Sequence, residues 1–181
     1  MLTTMRRILV YGVTGSGKST LAARVGGRLD LPYYPMDELT WNPGWVTVSE
    51  QEQRRRVSQV LAGDEWVIDA SYGIWNDLVL DRVELIVGLD LPRGLSLSRL
   101  LRRTVSHIVR RTPTCNGNRE TWRNAFFDRE SILVWHFKSF KRKQTRMRLW
   151  HSSPDFPQTV LLRSPVEVEQ WFAALPQPDS S

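Results

Sequence analysis

Gly12-Val13-Thr14-Gly15-Ser16-Gly17-Lys18-Ser19 places three glycines, a lysine and a hydroxyl in the spacing G-x-x-x-x-G-K-[ST]. Glycines so spaced let successive backbone N–H groups turn inward and cradle a phosphate. Lys18 is then positioned for the β- and γ-phosphates of ATP, Ser19 for Mg²⁺ and Thr20 for the α-phosphate. The chemistry works only if a strand enters the loop and a helix leaves it, because the helix N-terminus adds a partial positive charge. Both conditions are met: RRILVY precedes the loop, and Leu21, Val25 and Leu29 follow it at four-residue intervals.

Carboxylates supply the next layer. Asp69 ends the apolar run Trp66-Val67-Ile68 and Asp90 ends ELIVGL. In an open parallel sheet such ends line the ligand crevice, where an acid can hold Mg²⁺ through water. Asp69 is the preferred magnesium residue and Asp90 the competitor, since either can instead cap a turn. Asp37, followed by Glu38, closes the second apolar run. It can bind an acceptor hydroxyl or base, act as general base, or cap a turn. Trp41 and Trp45 can stack a base or pack beneath a loop. His107, His136 and His151 lack the spacing of zinc ligands. The single cysteine, Cys115, reads as an exposed bystander.

Positive charge is concentrated. The chain carries +6 overall. Residues 99–148 hold 14 Lys/Arg against three Asp/Glu, a net of +11, and the remainder is net −5. The partner is therefore expected to be polyanionic, either nucleotide phosphate or nucleic acid. Arg99, Arg102 and Arg103 share one helix face, and Arg142, Arg146 and Arg148 close a later helix. Between them lies the polar segment 112–120, TPTCNGNRE. Two arginine sets bracketing such a loop resemble a lid that closes over phosphates, where positioned arginines stabilise the charge in flight. The segment is expected to be mobile and to close on nucleotide.

The elements that must hold these groups alternate. Strands are expected at 7–11, 33–36, 66–69, 84–90 and 158–163, the second weakened by Pro32 and Pro35. Ser49-x-x-Glu52 opens a helix carrying Val57, Val60 and Leu61. Pro92 starts another, with Leu97, Leu100, Leu101, Val105 and Ile108 on one side. A long helix is expected over 128–150, with Ile132, Leu133, Trp135, Phe137 and Phe140 inward. Ser164-Pro165-Val166-Glu167 caps the last, which runs to about residue 175. Residues 39–48 read as a bridging loop. Strands alternating with helices imply an α/β domain on a parallel sheet.

At 181 residues and 41% hydrophobic composition, one self-sufficient domain over 1–175 is expected, with a disordered tail at 176–181. One cysteine permits no internal disulfide and suits a reducing compartment. No apolar run reaches membrane-spanning length. A cytoplasmic protein without membrane partners is the expectation.

In this order, the phosphate loop, Asp37 with Trp41 and Trp45, Trp66-Val67-Ile68-Asp69, Tyr72, Leu89-Asp90-x-Pro92-Arg93, the Arg-rich segment and Arg163-Ser164-Pro165 resemble the nucleoside monophosphate kinases. More narrowly they resemble the adenylate-kinase-like topology modulation proteins of bacteria. The resemblance implies a three-layer P-loop NTPase fold: a five-stranded parallel sheet, helices on both faces, an acceptor-side insert at 37–65 and a lid at 104–128. It implies ATP and Mg²⁺ held by Gly12, Thr14, Gly15, Ser16, Gly17, Lys18, Ser19 and Thr20, with Arg103, Ser164 and Pro165 beside the nucleotide. Lys18, Arg142, Arg146 and Arg148 would serve catalysis, with Asp37, Trp41, Asp69, Tyr72, Arg102 and Arg119 toward the acceptor. Where adenylate kinases carry D-G-F-P-R-T, this chain has Asp69-Ala70-Ser71-Tyr72, without the arginine that clamps an acceptor phosphate. The expected activity is phosphoryl transfer from ATP to a small acceptor, a nucleotide by resemblance. The rivals are an ATP-binding regulator acting on nucleic acid and a simple nucleotide hydrolase.

Overall fold

The computed structural model describes residues 5–118, 121–122 and 132–176. The backbone alternates as expected: β1 (Arg7–Gly12), α1 (Lys18–Leu29), β2 (Tyr33–Tyr34), α2 (Met36–Thr40), β3 (Trp41–Asn42), β4 (Val46–Thr47), α3 (Glu50–Leu61), β5 (Trp66–Ile68), α4 (Asn76–Leu80), β6 (Leu85–Leu89), α5 (Arg93–Arg110), α6 (Ile132–Ser152), β7 (Gln158–Leu162) and α7 (Pro165–Ala173). A five-stranded sheet runs in the order β2-β5-β1-β6-β7, all pairs parallel. The phosphate-loop strand is thus central, with β5 and β6 on either side. Asp69 and Asp90, one residue beyond those two strands, stand at the same sheet edge as the loop.

Side chains of a strand alternate between faces, and each face has its own core. Leu9, Tyr11, Trp66, Ile68 and Ile86 point to one, where α3, α4 and α6 supply Val57, Leu61, Val79, Met147 and Trp150. Ile8, Val10, Val67, Leu85 and Val87 point to the other, covered by Leu21, Ala22 and Val25 of α1 and by the α7 side. This is the three-layer α/β architecture.

Both expected helix starts are capped by a serine hydroxyl, though neither closes a full capping box onto the serine's own N–H. Ser49 Oγ accepts from Glu52 N, and Ser164 Oγ accepts from Glu167 N while Glu167 Oε2 accepts from Arg163 N at 2.9 Å. Each such cap is worth about 1 kcal/mol.

Four expectations need correction. β2 is only two residues long, so Asp37 sits in the first turn of α2 and not at a strand end. Pro35, lacking an N–H, ends the ladder. Residues 39–48 are not all loop, because β3 and β4 form an antiparallel hairpin across Asn42-Pro43-Gly44-Trp45. Trp135 and Phe137 point outward, at 41% and 52% exposure. Their rings instead meet cations, with Arg142 5.6 Å above Trp135 and Arg93 4.1 Å above Phe137. The inward stripe of α6 is His136, Phe140, Lys143, Met147 and Trp150, spaced four and three residues apart. On α5, Val105 is exposed, and the buried line is Ser96, Leu100 and Thr104. The expected start of α6 at 128–131 lies outside the described residues, as do the side chains of Ile132 and Leu133.

Candidate active site

The loop between β1 and α1 is shaped by close approach. At Gly12 a Cβ would stand 2.6 Å from Ser16 Oγ. At Gly15, whose φ is +83°, it would stand 2.3 Å from the Ser96 carbonyl oxygen of α5. Neither position has room for a side chain, so α5 packs directly on the loop. Arg99 of α5 donates to the Ser16 carbonyl at 3.3 Å.

On one side of the loop lies a cavity of about 410 Å³. Gly15 through Leu21 form its floor, with Arg99, Arg103, Pro165 and Val168 around it. Arg103 and Pro165, expected beside a nucleotide, both line this cavity. Ser164 stays outside the lining, its hydroxyl spent on the α7 cap. Arg24 and Glu169, which sequence reading missed, close one wall as a bidentate pair at 2.7 Å. Arg102 turns away, into a separate groove with Leu101, Val105 and Val109.

Two carboxylates, just beyond β5 and β6, have different partners. Asp69 is buried and accepts from Tyr33 Oη and Met36 N, each at 3.0 Å. Burial and then Asp69 push the Tyr33 phenol up, with Ser19 close enough to counter that shift. Ser19, Tyr33 and Asp69 therefore adjoin. Asp90 is also buried, but it accepts from Gln144 Nε2 and from Arg148 Nε, both at 2.8 Å. Arg148 neutralises Asp90, while Asp69 has only uncharged donors. Asp37 accepts from the Tyr72 hydroxyl. Burial, then Asp37, raises the Tyr72 phenol well above its ordinary value, so it is a donor throughout the working range.

Ser19 and Asp69 supply the hard oxygen donors that suit a magnesium ion, which takes its other ligands from water and substrate phosphate. Among the described residues no cluster of three or more His, Cys, Asp or Glu is placed to hold a metal by itself.

The polar segment before residue 119 is docked. Cys115 Sγ donates to the Asp37 carbonyl at 3.1 Å, and Asn116 Nδ2 donates to the Glu38 carbonyl at 2.8 Å and to the Trp41 carbonyl. Asn118 accepts from Trp45 N at 2.9 Å and donates to the Asn42 carbonyl at 3.1 Å. The segment thus clasps α2 and the β3–β4 hairpin. Cys115 is no exposed bystander: burial, then Asp37 and Glu38, push its thiol up to about 11. Trp41 and Trp45 meet edge to face, 5.9 Å between ring centres. Arg119 lies outside the described residues.

Helix α6 crosses the loop. His136 Nδ1 donates to the Thr14 carbonyl at 3.0 Å, and Lys143 Nζ donates to the Gly12 carbonyl at 3.4 Å. Arg146 and Arg142 act on the Tyr11 phenol at the end of β1. Neither His136 nor Lys143 was singled out from sequence. The available signal was two polar residues interrupting the apolar stripe Phe140-Met147-Trp150. Three cations of the basic stretch, Arg99, Lys143 and Arg148, reach acceptors inside the fold. No helix among the described residues is long and apolar enough to cross a membrane.

No protein-family model matches the chain, and no curated protein matches it. Solved structures do. A shikimate kinase from Bacteroides thetaiotaomicron is similar at TM-score 0.55 and 15% identity, over 94% of this chain and 96% of that one. A sugar kinase from Janibacter sp. HTCC2649 is similar at TM-score 0.55 and 15% identity, over 93% of each chain. A gluconokinase from Sinorhizobium meliloti 1021 is similar at TM-score 0.54 and 16% identity, over 93% of this chain and 91% of that one. The phosphate loop follows the central strand of a five-stranded parallel sheet, and the chain shares its fold with these three solved structures.

Proposed function

We propose that this chain is an ATP-dependent phosphotransferase acting on a hydroxyl of a small acceptor. The observation that carries the reading is the placement of Asp37. Its carboxylate accepts from Tyr72 and, together with Lys18 of the phosphate loop, acts on the Lys143 ammonium, so the acid and the loop lysine share one neighbourhood. ATP would fill the cavity that Arg99, Arg103 and Pro165 enclose, with its γ-phosphate at Lys18. The acceptor hydroxyl oxygen attacks the γ-phosphorus, the bond to the β–γ bridging oxygen breaks, and ADP leaves. The proton released by the hydroxyl passes to Asp37. Lys18, with Arg142 and Arg146, offsets the charge that spreads over the phosphoryl oxygens. Magnesium, when bound at Ser19 and Asp69, supplies a further positive charge there.

The acceptor is read as a neutral hydroxyl compound, a departure from the nucleotide acceptor that the resemblance to topology modulation proteins implied. A phosphate-bearing acceptor needs a cation to receive it. On the acceptor side Arg54 is paired with Asp77, and Arg55 and Arg56 with Glu52. Among the described residues, those read as facing the acceptor are Asp37, Tyr72 and Trp41. Polyols, neutral sugars and nucleosides satisfy that lining. ADP release measured against a panel of such compounds and of nucleoside monophosphates tests the reading. Stimulation by a hydroxyl compound supports it, and stimulation by monophosphates alone overturns it.

A further inference from the structure

Lys143 is buried at 8% exposure on the inward stripe of α6, facing the phosphate loop. Its ammonium has three donors. One reaches the Gly12 carbonyl across a long 3.4 Å, and the Tyr11 ring lies 5.8 Å away. Among the described residues no carboxylate oxygen lies within salt-bridge distance of it. Buried charges are normally paired, because removal from water is costly. Its charged surroundings are mostly of its own sign: Lys18 from α1, and Arg142 and Arg146 from α6, against Asp37 from α2. Burial, then Lys18, lowers its ionisation to about 7, as befits an ammonium lacking a counter-ion.

The same place holds other unsatisfied groups. Ser139 lies between His136 and Lys143 on that helix face. Its hydroxyl, and that of Ser16 in the loop, are buried with no hydrogen-bond partner among the described residues. A lysine and two hydroxyls, all buried and underused around one loop, describe a site whose anionic partner arrives from outside.

We propose that Lys143 is a second phosphate-binding lysine, which reaches the loop from α6 and contacts the γ-phosphate of a bound nucleoside triphosphate. The γ-position follows from its neighbours. It feels Lys18 of the donor site and Asp37 of the acceptor side, and the phosphoryl group that passes between those two is the γ. This rests on the ATP-dependent reading above and adds a residue outside the glycine-rich motif.

The test is binding, with melting as its control. Mg²⁺ with AMP-PNP, and separately with ADP, is titrated into wild type, Lys143→Met and Lys143→Arg. Methionine preserves length and removes an unpaired buried charge, so the free Lys143→Met protein is expected to melt no lower than wild type. Its affinity for AMP-PNP is expected to fall about tenfold or more, while its affinity for ADP stays within about threefold. Lys143→Arg, still cationic, is expected to recover part of the preference for AMP-PNP. An unchanged ratio of AMP-PNP to ADP affinity in Lys143→Met overturns the proposal. So does a Lys143→Met protein that unfolds or melts well below wild type, since Lys143 would then be propping the loop. A wild type that binds neither nucleotide fails the ATP-dependent reading itself, which is a different result.

Discussion

The Tyr33 hydroxyl stands 3.0 Å from Oδ2 of Asp69 and donates to it, so the acid beside the phosphate loop is held by an uncharged partner. Asp90, its counterpart one strand away, is held by Arg148. Two aspartates in the same local sequence pattern therefore carry different net charge into the crevice.

Asp69→Asn is expected to raise the Mg²⁺ concentration for half-maximal activity about tenfold, because an amide attracts the hydrated cation less than a carboxylate does. Asp90→Asn is expected to leave that requirement within about twofold, since Arg148 already offsets its charge. A magnesium titration of both variants checks the order, and the reverse order would assign the cation to Asp90.

Arg148 was grouped from sequence with the arginines of phosphoryl transfer, yet its guanidinium is engaged by an Asp90 side chain that is 1% exposed. Arg148→Ala strips a buried carboxylate of its charged partner, leaving Gln144, and is expected to cost about 1–3 kcal/mol. For a domain of this size that lowers the melting temperature by about 2–12 °C. Arg146→Ala is expected to melt near wild type and to lose turnover about a hundredfold or more. Melting curves and steady-state rates for the pair separate the two roles.

Cys115 offers a check on the docked segment. Its thiol is raised from the ordinary value of 9.0 to about 11. At pH 8 the thiolate population is then about a hundredfold smaller than in an ordinary thiol, and alkylation slows accordingly. The sign for stability follows, because the native state holds its proton more tightly than the unfolded chain. This contribution is intact below pH 9 and is lost as the pH rises through about 11. Asn116→Ala removes the hydrogen bonds to the Glu38 and Trp41 carbonyls and is expected to speed labelling by iodoacetamide. Labelling as fast as in a denatured control would mean that the segment does not dock.

Much of the fold was legible because its causes are local. Alternating runs such as Ile8-Leu9-Val10-Tyr11 declare a two-sided strand, and Ser49 and Ser164 with their returning glutamates declare helix starts. The phosphate loop was legible for the same reason, since its glycines, Lys18 and Ser19 are consecutive. What escaped was fixed by distant partners. Trp135 and Phe137 look like core residues in a hydrophobic tally, but they lie on the face that meets Arg142 and Arg93. The Asn118 contact with Asn42 and the Lys143 contact with Gly12 join residues 76 and 131 positions apart. No periodicity reports such pairs. The segment 112–118 has the composition of a mobile lid, and only the backbone acceptors of residues 37–42 reveal that it is clasped to α2 and the β3–β4 hairpin.

The central claim is transfer of the γ-phosphoryl group to a hydroxyl, and the direct measurement follows that phosphorus by ³¹P resonance in the presence of the acceptor that best stimulates ADP release. The account expects a phosphate monoester of the acceptor to form in step with ADP, one for one. Lys18→Met, which removes a half-buried cation at the loop without touching the core, is expected to abolish the ester signal while melting near wild type. Phosphorus recovered only as inorganic phosphate, or an ester formed equally well by Lys18→Met, would contradict it.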